Sequence, residues 1–200
     1  MNTKKQLTRT LQELALFTNP KLKDEQYATP ADITADVLWK AFMLGDIEDK
    51  EILDLGCGTG ILGIGALLLG AKSCIFLEKD ESVLNLCRKN LDTHTIPEEN
   101  YILINEDVKN TDIHAAVCIM NPPFGTKVKH ADKLFLEKAM KSMVIYSFHK
   151  TNTLDFVRAF VRDHKRTITH QWNYQYPLKK TMLQHRKKVE YIAVSVVRIM

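Results

Sequence analysis

The chain has 200 residues, 45% of them hydrophobic and 26% charged, with a formal net charge of +4. That length supports one domain with a sizeable core and excludes two ordinary ones, and the composition excludes a disordered or low-complexity chain. The longest apolar run, "ILGIGALLLGA", is too short to span a bilayer, and the first residues lack the apolar core of a signal peptide, so a cytoplasmic protein is expected.

In chain order, Leu7, Leu11, Leu14 and Leu16 recur near helical spacing and predict an amphipathic helix over 3–17. "NPKLKDEQYATP" reads as an extended connection. Thr29 before Pro30, with Asp32 in the first turn, predicts a helix start with Thr29 as cap and Pro30 at the first position. Ile33, Val37, Ala41 and Leu44 give that helix one apolar face, and Gly45 ends it. Strands follow at "EILDLG", "CIFLEKD", "YILINED", "AAVCIMN" and "VIYSFHK". Helices are predicted at "TGILGIGALLLG", "ESVLNLCRKNLDTH", "ADKLFLEKAMKSM" and "TLDFVRAFVRDH". "TITHQWNYQYPL" and "VEYIAVSVVRI" alternate β-branched and aromatic residues and have no helix between them.

Strand–helix alternation predicts an α/β, Rossmann-like fold: a mostly parallel seven-stranded sheet with helices on both faces, ending in an antiparallel hairpin at one end. One domain is expected over 1–200, with a helical cap segment at 1–48 and the core at 49–200. Trp172, Tyr174 and Tyr176 alternate as a sheet face does and are expected to pack core and edge.

The glycine turn "DLGCGTG" spaces its glycines G-x-G-x-G rather than G-x-G-x-x-G. That spacing argues against a pyrophosphate on the helix N-terminus. It favours a ligand with a carboxylate and an amine, passing Gly56 and Gly58, with Asp54 facing the positive end. Glu78 ends the second strand, where an acid can accept two ribose hydroxyls or serve as an ordinary strand-end acid. Asp107 falls where an acid could take an adenine amine, or a turn residue could sit. Asp54, Glu78, Asp107 and Asn121 each end a successive strand, and open α/β sheets bind ligands outside those carboxyl ends.

"IMNPPFGTK" ends a buried strand in a stiff turn. Proline has no N–H, so carbonyls within Asn121-Pro122-Pro123 are left to face outward as acceptors. The Asn121 side-chain oxygen and the Pro122 carbonyl can both accept from one planar NH2 group. That favours pyramidalisation and attack of the nitrogen lone pair on a sulfonium methyl, by positioning and electrostatics rather than by strong base chemistry. Phe124 offers a ring for a flat substrate to stack on. Between Arg158 and Lys188 nine basic residues face a single acid, Asp163, a bias suited to a phosphate backbone or to a solvated face. The cysteines form no C-x-x-C pair, and no metal site is expected.

Together "DLGCGTG", Glu78 and "NPPF" resemble the class I S-adenosylmethionine-dependent N-methyltransferases. "DEQYATPADITADVLW", "MNPPFGTK", "VIYSFHK" and the basic C-terminal stretch resemble the methyltransferase-like protein 5 family and its archaeal relatives. The resemblance implies S-adenosylmethionine as cofactor and an adenine N6 of small-subunit ribosomal RNA as target. It implies that Gln26, Tyr27 and Thr29 cover the cofactor, that Asp54, Gly56, Gly58, Glu78, Asp107 and Asn121 bind it, and that Asn121, Pro122, Pro123 and Phe124 hold the target amine. Lys127, His149, Lys150, Lys179, Lys180, Arg186, Lys187 and Lys188 would face the RNA, with His149 open to a purely structural role. A small zinc-containing activator protein is the implied partner. The family usually shows Asp where this chain has Glu78. Other readings are a glutamine-amide protein methyltransferase, a DNA adenine enzyme and a non-catalytic RNA-binding assembly factor.

Overall fold

The computed structural model describes residues 3–16, 29–123, 131–178 and 190–200. Seven strands form one sheet: β1 Glu51–Leu55, β2 Ser73–Glu78, β3 Tyr101–Asn105, β4 Val117–Met120, β5 Val144–Lys150, β6 Ile168–Leu178 and β7 Glu190–Ile199. Their spatial order is β3-β2-β1-β4-β5-β7-β6. The first five run parallel, and β7 inserts antiparallel between β5 and β6. The expected antiparallel hairpin is present at one end of the sheet, and its second strand is the inner one.

The helices are α1 Lys4–Gln12, α2 Ala31–Met43, α3 Ile61–Leu68, α4 Glu81–Thr93, α5 Ala131–Ala139 and α6 Leu154–Asp163. Alternate residues of the buried strands serve two cores, as a sheet covered on both faces requires. Ile52 and Phe76 face Leu38, Ile64 and Cys87 on one side, with Leu7 and Leu11 of α1 completing that layer. Leu53, Leu55 and Ile145 face Leu136 of α5 and Val157 of α6 on the other. Each such side chain contributes about 1.5–3 kcal/mol of hydrophobic burial.

The start of α2 departs from the sequence expectation. Pro30 stands at the cap position and no side chain caps the helix; the Thr34 N–H makes the first ordinary helical bond, to the Pro30 carbonyl at 2.9 Å. The Thr29 hydroxyl is engaged elsewhere, by a bond from a residue 92 positions away. The hydroxyl serves this tertiary bond instead of a local cap.

Two polar staples tie the hairpin to the N-terminal helices. Beyond α2, the Asp46 carboxylate accepts from Arg198 Nε at 2.7 Å, Arg198 Nη2 at 3.0 Å and the Tyr146 hydroxyl at 2.6 Å, all buried. On α2, Asp36 accepts from the Tyr174 hydroxyl at 2.8 Å, from Lys4 at 2.7 Å and from Lys40. Burial alone would raise the Asp36 carboxyl, and the donors outweigh it and hold the group at about 2. The Trp172 ring lies between Tyr146 (6.2 Å) and His170 (5.5 Å), both nearly parallel to it. Trp172 and Tyr174 therefore pack and anchor the hairpin.

Candidate active site

The sheet order reverses direction beside β1, and the turns after β1 and β4 leave adjacent strands there. Asp54 lies opposite Ile119, two residues before Asn121, so the glycine turn and the Asn-Pro-Pro turn emerge side by side. This is the crevice where open α/β sheets bind ligands.

Asp54 is fully buried at the end of β1. Its Oδ2 accepts the Gly63 N–H at 2.8 Å, which ties β1 to the first turns of α3. Its Oδ1 is buried without a hydrogen-bond partner among the described residues. Burial, helped by the nearby Glu78 charge, lifts the carboxyl to about 7. The turn that follows needs its glycines. Gly56 has φ of 74°, and a Cβ there would lie 2.7 Å from the Phe135 ring; Gly60 has φ of 84°, and a Cβ there would lie 2.4 Å from Cys87 Sγ.

Glu78 leaves β2 and turns back under that loop. Its Oε2 accepts the Gly58 N–H at 3.1 Å and its Oε1 accepts the Asp80 N–H at 3.0 Å. Burial raises its carboxyl against the opposing effect of these two bonds. The acid thus already shapes the glycine loop. Asp107 is half-buried, and its Oδ1 accepts the Lys109 N–H at 3.0 Å in a turn after β3.

Asn121 follows β4. Its side-chain NH2 donates to the Thr29 hydroxyl at 2.9 Å and to the Tyr176 hydroxyl at 3.3 Å. Its Oδ1 is buried and has no hydrogen-bond partner among the described residues. Pro122 is buried and Pro123 half-buried. Tyr176, on β6, is fully buried, and burial pushes its hydroxyl up to about 12, so the ring stays a neutral phenol. Pattern alone had assigned Tyr176 to packing; its ring packs, and its hydroxyl also reaches the site. No sequence signal marks that, because the contact joins a strand to a loop 55 residues away.

His149 requires a correction. It is only 2% exposed on β5, and its Nε2 lies 2.7 Å from the Ser147 hydroxyl. Burial lowers its imidazole to about 3, so it is neutral and structural rather than RNA-facing. Lys150 beside it is half-buried. The positions Gln26, Tyr27, Phe124, Lys127, Lys179, Lys180, Arg186, Lys187 and Lys188 lie outside the described residues, as does most of the "NPKLKDEQYATP" connection. Among the described residues no helix is long and apolar enough to cross a membrane, and no group of three His, Cys, Asp or Glu could hold a metal ion.

A family profile described as "Conserved hypothetical protein 95" matches residues 35–176. The rRNA N6-adenosine-methyltransferase METTL5 of Danio rerio is 35% identical over 97% of this chain and 97% of its own length. The uncharacterized protein MJ0284 of Methanocaldococcus jannaschii is 34% identical over all of this chain and 94% of its own. The chain belongs to the METTL5 family. A crystal structure of a candidate RNA methyltransferase from Pyrococcus horikoshii superposes with a TM-score of 0.91, at 40% identity over all of this chain and 98% of the other. The METTL5-family fold is the class I Rossmann-like methyltransferase fold, and the protein is an S-adenosylmethionine-dependent methyltransferase. The crevice fits that cofactor chemically. It offers, at Asp54, a buried carboxylate oxygen with no partner among the described residues, a turn of glycines in the left-handed region, and a second carboxylate at Glu78.

Proposed function

We propose that this METTL5-family chain transfers a methyl group to the N6 of an adenine in small-subunit ribosomal RNA. The observation that carries the reading is Asn121: its NH2 is held by Thr29 and Tyr176, and its Oδ1 is a buried acceptor with no partner among the described residues, beside the glycine turn. Relatives named as rRNA N6-adenosine methyltransferases support the substrate class.

In this reading Asp54, Gly56, Gly58, Glu78 and Asp107 hold the cofactor, with Thr29 near its reactive end. The cofactor supplies a sulfonium-bound methyl. Asn121 Oδ1 accepts one N–H of the target amine and the Pro122 carbonyl accepts the other. The two acceptors draw the nitrogen out of conjugation and aim its lone pair at the methyl carbon. With the cofactor bound, the nitrogen would take the methyl from sulfur and release a proton to solvent. The adenine must leave its stack to reach this turn. The RNA backbone would lie on the lysines and arginines of the C-terminal stretch. Four free, buried thiols suit a reducing compartment, and a cytoplasmic setting goes with the proposal.

The test is methyl transfer from labelled S-adenosylmethionine to unmodified small-subunit ribosomal RNA. The protein is assayed alone and with a small zinc-containing activator protein, and Asn121→Ala is the control. Label recovered as N6-methyladenosine and lost in the variant is the expected result. Label appearing instead on a translation release factor's glutamine would overturn the RNA reading.

A further inference from the structure

We infer that Tyr176 and Thr29 are positioning residues that orient the Asn121 amide for the transfer; this rests on the function proposed above. The geometry is one amide held by two hydroxyls. Asn121 Nδ2 donates to Thr29 Oγ1 at 2.9 Å and to the Tyr176 hydroxyl at 3.3 Å. Thr29 is buried and Tyr176 fully so. Both N–H bonds of the amide are therefore taken by these two hydroxyls, which leaves Oδ1 as a buried acceptor with no partner among the described residues.

A primary amide is nearly symmetric in shape, and only its surroundings decide which end presents the oxygen. Rotation by half a turn would present donors to a substrate amine that itself donates, and the transfer would lose its acceptor. A carboxamide held in one orientation is preorganised, and that preorganisation is worth more in the transition state than in the ground state. The two supports come from separate elements. Thr29 stands at the entry to α2. Tyr176 stands on β6, whose place is fixed by Tyr174 on Asp36 and Arg198 on Asp46. The antiparallel extension of the sheet thus acts on the chemistry through one hydroxyl.

Neither Tyr176→Phe nor Thr29→Val changes size much, and each removes one acceptor. Each is expected to lower kcat by about tenfold, the equivalent of one ordinary hydrogen bond lost from the transition state. KM for S-adenosylmethionine should stay within about twofold for Tyr176→Phe. Thr29→Ser should restore the rate, because the hydroxyl returns. Tyr174→Phe removes a hydroxyl that anchors the same strand on Asp36 but does not touch Asn121; it should lower stability and cost turnover clearly less than Tyr176→Phe does.

A second readout does not depend on the substrate. In a 1H–15N spectrum the Asn121 side-chain amide, assigned by its loss in Asn121→Ala, should show two dispersed, slowly exchanging protons. These should collapse toward free-amide positions in the Tyr176→Phe, Thr29→Val double variant. Unchanged amide signals in the double variant would overturn the inference whatever the substrate is. An equal loss of kcat in Tyr174→Phe would also overturn it, since the effect would then belong to hairpin stability. Wild-type protein that transfers no methyl to RNA would instead sink the functional reading, while the spectrum still decides the positioning.

Discussion

Asp54 carries a charge question that its surroundings do not resolve. The carboxyl is fully buried, one oxygen takes only a backbone N–H, and its pKa is lifted from 3.8 to about 7. Between those values the folded state binds a proton that the unfolded chain has released, so the cofactor-free protein loses stability as pH rises through that window. The contribution is present below about pH 4, is lost as pH passes 7, and is on the order of 4 kcal/mol. Asp54→Asn should flatten the dependence of Tm on pH between 4 and 8 while keeping an acceptor for Gly63. An unchanged slope would mean the proton is carried elsewhere. If Asp54 holds the cofactor as proposed, the cofactor's ammonium favours the ionised acid, so binding should strengthen from pH 6 to 8 and release a proton, measured calorimetrically in buffers of different ionisation enthalpy. Asp54, Glu78 and Asn121 were legible because each is a polar residue at the end of an apolar strand. Tyr176 was not, and Thr29 entered the site only through the family resemblance, not through its own pattern. Thr-Pro before a helix has the local chemistry of a cap, and a tyrosine in an alternating strand has the pattern of a core residue. In both cases a tertiary bond to Asn121 decided the role.

Among the elements, the alternation of strand and helix made the parallel half readable, since each strand–helix–strand unit admits one handedness. The hairpin was readable as a hairpin, from two alternating strands with no helix between them. That its second strand would lie inside, against β5, was not, because the order depends on contacts far apart in sequence, such as Arg198 reaching Asp46 across 152 residues. That pair is closed on both sides: Asp46 takes two guanidinium nitrogens and the Tyr146 hydroxyl, and both charged residues are buried. Removing one partner strands a charge in a poorly solvated place, which costs about 3–5 kcal/mol. Arg198→Ala should therefore lower the urea midpoint sharply. The double variant Asp46→Leu, Arg198→Met should recover much of the loss, because an apolar pair leaves no buried charge behind. Equal destabilisation in single and double variants would show that geometry, not charge, is what the pair supplies.

At the scale of the whole molecule, the parallel half forms the crevice, and the sequence between the two antiparallel strands is strongly basic. Lys179, Lys180, Arg186, Lys187 and Lys188 lie between the end of β6 and the start of β7, two residues after the Pro177 that follows Tyr176. The hairpin thus joins the residue that orients Asn121 to the charges that would meet the RNA. Charges of this kind act on the phosphate backbone, not on the methyl transfer. For single-stranded RNA, each phosphate neutralised contributes about 0.7 to the slope of log K against log salt. Changing these five residues to glutamine should raise KM for RNA and reduce that slope by up to about 3.5 if every one meets a phosphate. Cofactor affinity should not change, since Asp54 and Glu78 lie on β1 and β2, away from the hairpin in the strand order. Binding is measured by filter retention from 50 to 300 mM salt, roughly the range over which such contacts are titrated. A slope equal to the wild type, with KM unchanged, would move the RNA path off the hairpin and onto another face of the sheet.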